Sequence, residues 1–408
     1  RDAVGLTEPD FRIRQPQDLL AVAAELVGFR PERSVVCIAT RGDHRTAAMR
    51  LDLPADPRRR AGERAVVRAL DAMLQRVGEV RGVVVVVYAP ETFASEHGIP
   101  RPSLGRSVHA ALERAGHPVL DVLCAAADGW GSYLDDGCPR EGRPLTEIDA
   151  SPLTERQTVR SAYTADTLAM LPPVDDALAA AVRAACDRAL DPLGSARGAA
   201  FGPAATVGAS AIAAADRLDP VAVTEELLGG APDRRDPEAL GRFLAVLQFP
   251  VLRDVVLLQI AFGLEVGLLA AERQEVHLFR QLVSGRSMDE YVADEHAQGQ
   301  QADDRALSEL LLGVGPRVPD AERIDASIEL LRLVVACAEP EDRVDPYCVL
   351  AWLAWARGRG SVAGAYLDRA GEIDPAHGMT DLLGTLIGSG RVPDWSYLEP
   401  DDALVRSP

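Results

Sequence analysis

Between residues 128 and 145 the chain reads DGWGSYLDDGCPREGRPL, a short stretch dense in side chains able to do chemistry. Trp130, Tyr133, Arg140, Glu141 and Arg143 could hold a ligand between aromatic faces and charged groups. Asp135 and Asp136 offer the carboxylate oxygens that a hard cation such as Mg²⁺ or Ca²⁺ prefers. Cys138, two residues from Arg140, could serve as a thiolate held by positive charge, with His97, His109 or His117 as its base. A hydrolase-like, divalent-cation-dependent enzyme is the reaction class these residues would serve. Against it, adjacent acids point apart in an extended chain. The same residues could instead cap a sheet edge, with Trp130 packed beneath them. Ser34, within LVGFRPERSVVCIAT (26–40), is a separate candidate. A nucleophilic serine needs a base and oxyanion donors, usually at a strand-to-helix turn. Here the direction is helix to strand, so its hydroxyl is expected to satisfy a backbone group at the corner.

Composition excludes more than it selects. All 43 basic residues are arginine, and the 408-residue chain contains neither lysine nor asparagine. A P-loop needs its lysine on the phosphates, a pyridoxal enzyme its Schiff-base lysine, and a protein kinase both a strand lysine and a loop asparagine. All three are ruled out. GxGxxG, GxSxG and HExxH are also missing, so no cofactor is expected. The six cysteines, Cys37, Cys124, Cys138, Cys186, Cys337 and Cys348, form no CxxC pair, so no metal site is expected. Cys37, Cys124, Cys186 and Cys337 sit in apolar surroundings as small core residues, which fits a reducing cytoplasm. The 62 acidic residues leave a net charge of −19, which repels phosphate backbones and anionic lipid. Neither nucleic acid nor membrane is therefore expected as a partner. The basic run RRR at 58–60 reads as a solvated helix start, and RGD at 41–43 as a turn. The apolar stretch VVLLQIAFGLEVGLLAA at 255–271, broken by Gln259 and Glu265, reads as a buried helix pair.

The elements that must position these residues follow from apolar spacing. Leu19, Leu20, Ala23, Leu26 and Val27 mark one face of a helix over 16–27, closed by Gly28 with Phe29 folded back. Strands are predicted at 34–39, 45–53, 82–89, 119–127 and 130–134, the last returning antiparallel to its predecessor. Helices are predicted over 61–77 and 103–115, capped by Gly78 and Gly116. The order β-β-α-β-α-β-β predicts an α/β domain with a mixed sheet over residues 1–150. After about residue 150 strand signals stop. A helix is expected from Ser151 as cap, then an all-α helical domain over 151–340, with HAQGQQADD (296–304) as a loop. Residues 341–408 predict a tetratricopeptide-like helical hairpin and tail packed on that domain. Tyr347, Leu350, Ala351, Ala354, Ala363, Leu367, Ala370 and Pro375 fall at that repeat's contact intervals.

The opening stretch, with MRLDLP, GVVVVVYA, WGSYLDDGCPREGRPL and LAWLAWARGRGSVAGAYLDRAGEIDPAHGMTDLL, resembles the actinobacterial family catalogued as domain of unknown function 4192. The likeness spans nearly the whole chain. It implies an architecture and no activity, and it implies paired cysteines after the tryptophan strand, where this chain has Gly137 and Cys138. Two functional expectations stand side by side. One is a non-catalytic interaction or scaffold protein binding a protein partner through its helical domain, with Arg-rich partners favoured by its acidity. The other is the enzyme with its site at Trp130–Arg143. The sequence fixes no oligomeric state.

Overall fold

The computed structural model describes residues 15–27, 31–41, 46–54, 56, 60–77, 79–153, 164–191, 216–229, 236–287, 290–291, 293–294, 297, 301–388 and 391–397. The chain divides into two compact units, residues 1–168 and 169–408.

The first unit is the expected mixed sheet. Its strands are β1 (Ser34–Arg41), β2 (Thr46–Asp52), β3 (Val80–Tyr88), β4 (Val119–Ala125) and β5 (Trp130–Ser132), in spatial order β2-β1-β3-β4-β5. Only β3 and β4 run parallel, joined by a crossover that carries α3 (Phe93–Glu96) and α4 (Pro102–Arg114); the other neighbours are antiparallel. The run of valines from Val83 to Val87 is buried on both faces because helices cover both. On one side α1 (Pro16–Val27) lays Leu19, Leu20 and Ala23 over Val36, Ile38, Val84, Val86, Leu123 and Trp130. On the other, α2 (Arg60–Val77) packs on α4 and β1 through the buried face Val66, Leu70, Met73, Leu74 and Val77. Gly116 closes α4 with φ at 89°, a conformation that favours glycine. Short helices α5 (Thr146–Asp149) and α6 (Ala165–Leu168) complete the unit.

Several expectations change or fall elsewhere. The helix expected after Ser151 falls on residues 154–163, outside the described residues; residues 151–153 turn, and the buried Ser151 hydroxyl donates to the Asp18 carboxylate at 2.7 Å and accepts from the Leu153 N–H at 3.3 Å. Gly28, Phe29, Gly78, the hairpin loop after Arg41 with the rest of RGD, Arg58, Arg59 and residues 154–163 lie outside the described residues. Arg60 does begin α2, and is exposed.

In the second unit the regular elements among the described residues are helical. They are α7 (Asp176–Leu190), α8 (Pro220–Gly229), α9 (Pro237–Leu247), α10 (Pro250–Phe262), α11 (Leu264–Ser284), α12 (Ala302–Leu311), α13 (Ala321–Cys337), α14 (Val344–Ala356), α15 (Gly360–Ile373) and α16 (Gly378–Gly388). The apolar stretch at 255–271 is the expected helix pair, broken at Gly263, whose φ of 90° suits glycine. Among the described residues no single helix is long and apolar enough to cross a membrane. The expected loop at 296–304 is corrected at its end: Ala302, Asp303 and Asp304 open α12 because Asp304 is drawn into a buried ion pair. Helix α14 is buried at every position except Asp345. Its tryptophans are tied by their indole N–H groups, Trp352 to the Leu311 carbonyl at 2.8 Å and Trp355 to that of Arg391 at 2.7 Å. A three-residue turn with Gly358 at φ 71° leads into α15, so 344–373 is a helical hairpin.

Candidate functional site

The loop after β5 is built by local pairing. Trp130 exchanges backbone hydrogen bonds with Arg143 at 3.0 and 2.7 Å, and the Arg143 guanidinium lies 5.6 Å from the Trp130 ring centre. That guanidinium also donates to Asp135 at 2.8 Å, while the Gly137 N–H donates to the other Asp135 oxygen at 2.9 Å. The Arg143 bond is the main reason Asp135 stays below the usual carboxylate range. Tyr133 donates its hydroxyl to the Pro100 carbonyl at 2.6 Å, and its ring lies over Gly105 of α4, where a Cβ would collide with it. Burial raises Tyr133 well above a free phenol. Asp136, Arg140 and Glu141 are exposed on the outer side of the loop.

Cys138 is half-buried against Gly131 and Phe93, and burial pushes its thiol up, the opposite of what a thiolate nucleophile requires. Of the histidines considered as its base, His109 lies 3.4 Å from Glu113 and His117 2.8 Å from Asp71, while His97 ends α3 in the left-handed conformation. The sheet register places Asp52, Ser34, Tyr88, Ala125 and Trp130 in one row across all five strands, at the carboxyl ends of the parallel pair. Ser34 is fully buried there, and its hydroxyl has no hydrogen-bond partner, so it does not satisfy the backbone group expected of it. The sheet itself already pairs that backbone.

Two side-chain networks in the helical unit escape sequence reading. In the first, Arg253 of α10, itself buried, is paired with Asp345 of α14. Asp345 in turn lies 3.5 Å from His377 Nε2, just before α16, and His377 Nδ1 stands 3.8 Å from Cys348 Sγ and 3.1 Å from Thr380 Oγ1. The hydrogen bond to Asp345, then that to Cys348, raises His377 to about 10, so it is an imidazolium at neutral pH. In the second, Arg273 of α11 forks onto Asp304 with both bonds at 2.8 Å, and His277 bridges Asp304 at 3.0 Å to the Tyr291 hydroxyl at 2.7 Å. The Arg273 bonds chiefly lower Asp304 to about 2. The spacing Asp345-x-x-Cys348, two polar groups on one face of an otherwise apolar helix, is the signal that could have found the first network.

Helix α11 also carries an outward apolar set. Leu264 is 46% exposed, Leu268 54%, Phe279 59% and Val283 71%. At 100° per residue these four span an arc of about 100° and a length of about 28 Å. Exposed Glu272 and Glu275 fall inside the same arc, between the two apolar pairs.

Neither the curated proteins nor the solved structures offer a match to the chain. Over residues 16–285 and 290–394 it matches the model of the Domain of unknown function (DUF4192), and with nearly its whole described length inside that match the chain belongs to this family.

Proposed function

We propose that the protein is a non-catalytic docking protein of the cytoplasm that binds an amphipathic, arginine- or lysine-bearing helix of a partner protein along α11. The observation that carries this reading is the α11 face: apolar pairs at both ends and two glutamates between them. A helix in a groove or along a face is anchored by side chains at i, i+3, i+4 and i+7, which is the spacing the Leu264–Leu268 and Phe279–Val283 pairs present. Central glutamates ask for a partner with basic residues between its apolar anchors, and the net charge of −19 steers such a partner in. The hairpin of α14 and α15, read as one tetratricopeptide-like unit, belongs to the same docking architecture. Six free cysteines support a reducing compartment. The enzyme alternative at Trp130–Arg143 has less behind it, since Asp135 and Arg143 are already paired and Cys138 is held as a thiol.

The test is a fluorescence-anisotropy titration with a labelled 20-residue helix of leucine and arginine at matching spacing. The double variant Phe279→Asp/Val283→Asp and the double variant Glu272→Arg/Glu275→Arg should each weaken binding by tenfold or more, roughly 1.4 kcal/mol. Equal affinity for both variants and the parent chain refutes the docking face. Sedimentation of the chain alone as a dimer, dissociated by the Phe279→Asp/Val283→Asp change, would assign the face to a second copy instead.

A further inference from the structure

We propose that Cys124 and Cys138 form a modification site, a thiol pair that a small disulfide oxidises to an intramolecular disulfide tying the Trp130–Arg143 loop to β4. The sheet register sets Cys124 of β4 opposite Gly131 of β5. On either side, the Tyr133 N–H donates to the Val122 carbonyl at 2.8 Å and the Ala126 N–H to that of Gly129 at 2.9 Å. Cys124 and Gly131 therefore fall among the hydrogen-bonded pairs of the ladder, with Cα atoms about 5.5 Å apart. Gly131 brings no side chain to that place, and the Cys138 sulfur fills it: a Cβ on Gly131 would collide with the sulfur. Phe93 and Ile99 lie 3.5 and 3.6 Å from the same position, and they pack with Cys124 and Cys138 in one apolar cluster. The Cys138 sulfur thus stands where the cross-strand neighbour of Cys124 would be, roughly 5 Å away. The Cβ atoms of a disulfide lie about 3.5–4.5 Å apart, so closure asks a shift of roughly 1–2 Å from the loop. Cys37, on the same face of the sheet, sits opposite Val85 of β3, and that strand separates it from Cys124.

Access and burial divide the two steps between the sulfurs. Cys138 is half-buried, so it meets the oxidant RSSR, whereas Cys124 is fully buried and meets only Cys138. The Cys138 thiolate attacks one sulfur of RSSR; the S–S bond breaks, Cys138–S–SR forms, and RS⁻ leaves, taking up the proton that Cys138 had released to solvent. Cys124 then loses its proton and attacks the Cys138 sulfur. The Cys124–Cys138 bond forms, the second RS⁻ leaves, and it takes up that proton. Two thiols are thereby oxidised and one RSSR is reduced to two RSH, with no further oxidant required. Burial pushes Cys124 up to about 12 and also raises Cys138, so the first step is slow at neutral pH and quickens as pH rises. The same burial denies the reduced pair any stabilisation as thiolate, which favours the disulfide once it is made. In a reducing compartment the pair rests as two thiols and closes transiently when oxidant appears.

The test treats the full chain with 2-hydroxyethyl disulfide at about pH 8.5, where more thiolate is present, then alkylates and digests after arginine for mass spectrometry. Both cysteines fall in one peptide, residues 115–140. That peptide should lose about 2 Da and resist alkylation. It should do so at least tenfold faster than Cys37, Cys186 and Cys337 react, all of which are buried and report unfolding. Cys124→Ser should leave Cys138 trapped as the mixed disulfide, and Cys138→Ser should leave Cys124 unreacted. Gly131→Ala, whose Cβ displaces the Cys138 sulfur, should slow closure about tenfold without slowing formation of the mixed disulfide. Accumulation of the mixed disulfide in the parent chain with Cys124 still free overturns the pairing, as does closure no faster than the reaction of the three buried cysteines.

Discussion

Raising the pH should weaken the helical unit through one residue, His377. Its folded value of about 10 lies above the 6.5 of a free imidazole, so the native state binds this proton more tightly than the unfolded chain does. The stabilisation is therefore complete below about pH 6.5, declines between 6.5 and 10, and is gone above 10. Taken whole, a shift of about 3.5 units corresponds to about 5 kcal/mol. The His377 side chain is 20% exposed and its Asp345 bond is long at 3.5 Å, so solvent screening reduces this to about 2 kcal/mol, near the value of a hydrogen bond between charged groups. Buried thiols complicate the raw pH curve: burial pushes Cys37 and Cys124 to about 12, so they too destabilise the fold as pH rises. Only a difference isolates His377. The assay is urea unfolding at pH 6, 8 and 10, read by tryptophan emission in a Trp130→Phe background, which leaves Trp352, Trp355 and Trp395 of the helical unit. His377→Gln keeps a hydrogen-bonding side chain without the charge. It should be about 2 kcal/mol less stable than the parent at pH 6 and equal to it at pH 10. A gap that stays constant from pH 6 to pH 10 would refute the Arg253–Asp345–His377 chain.

Two further outcomes concern the sheet unit. Gly105→Ala should cost about 2 kcal/mol, because the added Cβ meets the Tyr133 ring and overpacking of this size runs at 1–3 kcal/mol; thermal unfolding of that unit checks it, and an unchanged midpoint argues against the packed loop. Ser34→Ala should leave stability unchanged or raise it by about 1 kcal/mol, since it removes a buried hydroxyl with no partner. A loss of 1 kcal/mol or more in urea unfolding would mean that hydroxyl has a role.

The segments nearest in sequence were the most legible. All five strands are legible because each has an apolar face or two and is bounded by Gly, Pro or Asp, and the Pro16 start and apolar spacing give the bounds of α1. The ends of the Trp130–Arg143 loop are legible for the same reason, since Trp130, Asp135, Gly137 and Arg143 pair within 13 residues, whereas the packing of Tyr133 on Pro100 and of Cys138 on Phe93 is not. The position of Ser34 at a strand start is legible in its sequence, yet the absence of any partner for its hydroxyl depends on β2 and β3, which flank it on either side. Asp304 reads as loop in the sequence because nothing within its own turn announces Arg273, 31 residues away.

Periodicity, turn residues and composition thus determined, by themselves, a mixed sheet followed by helices, and the absence of lysine-dependent chemistry. Those are properties of neighbours along the chain, and a side chain's face is set by its own backbone period. Tertiary structure alone decided that β1 sits between β2 and β3, that α11 keeps four apolar side chains in solvent, and that Arg253, Asp345, His377 and Cys348 meet. Arg253 and Asp345 are 92 residues apart, and Cys348 and His377 are 29 apart. Such contacts are chosen by which helices pack together to bury the most apolar surface, a global competition that no local spacing records.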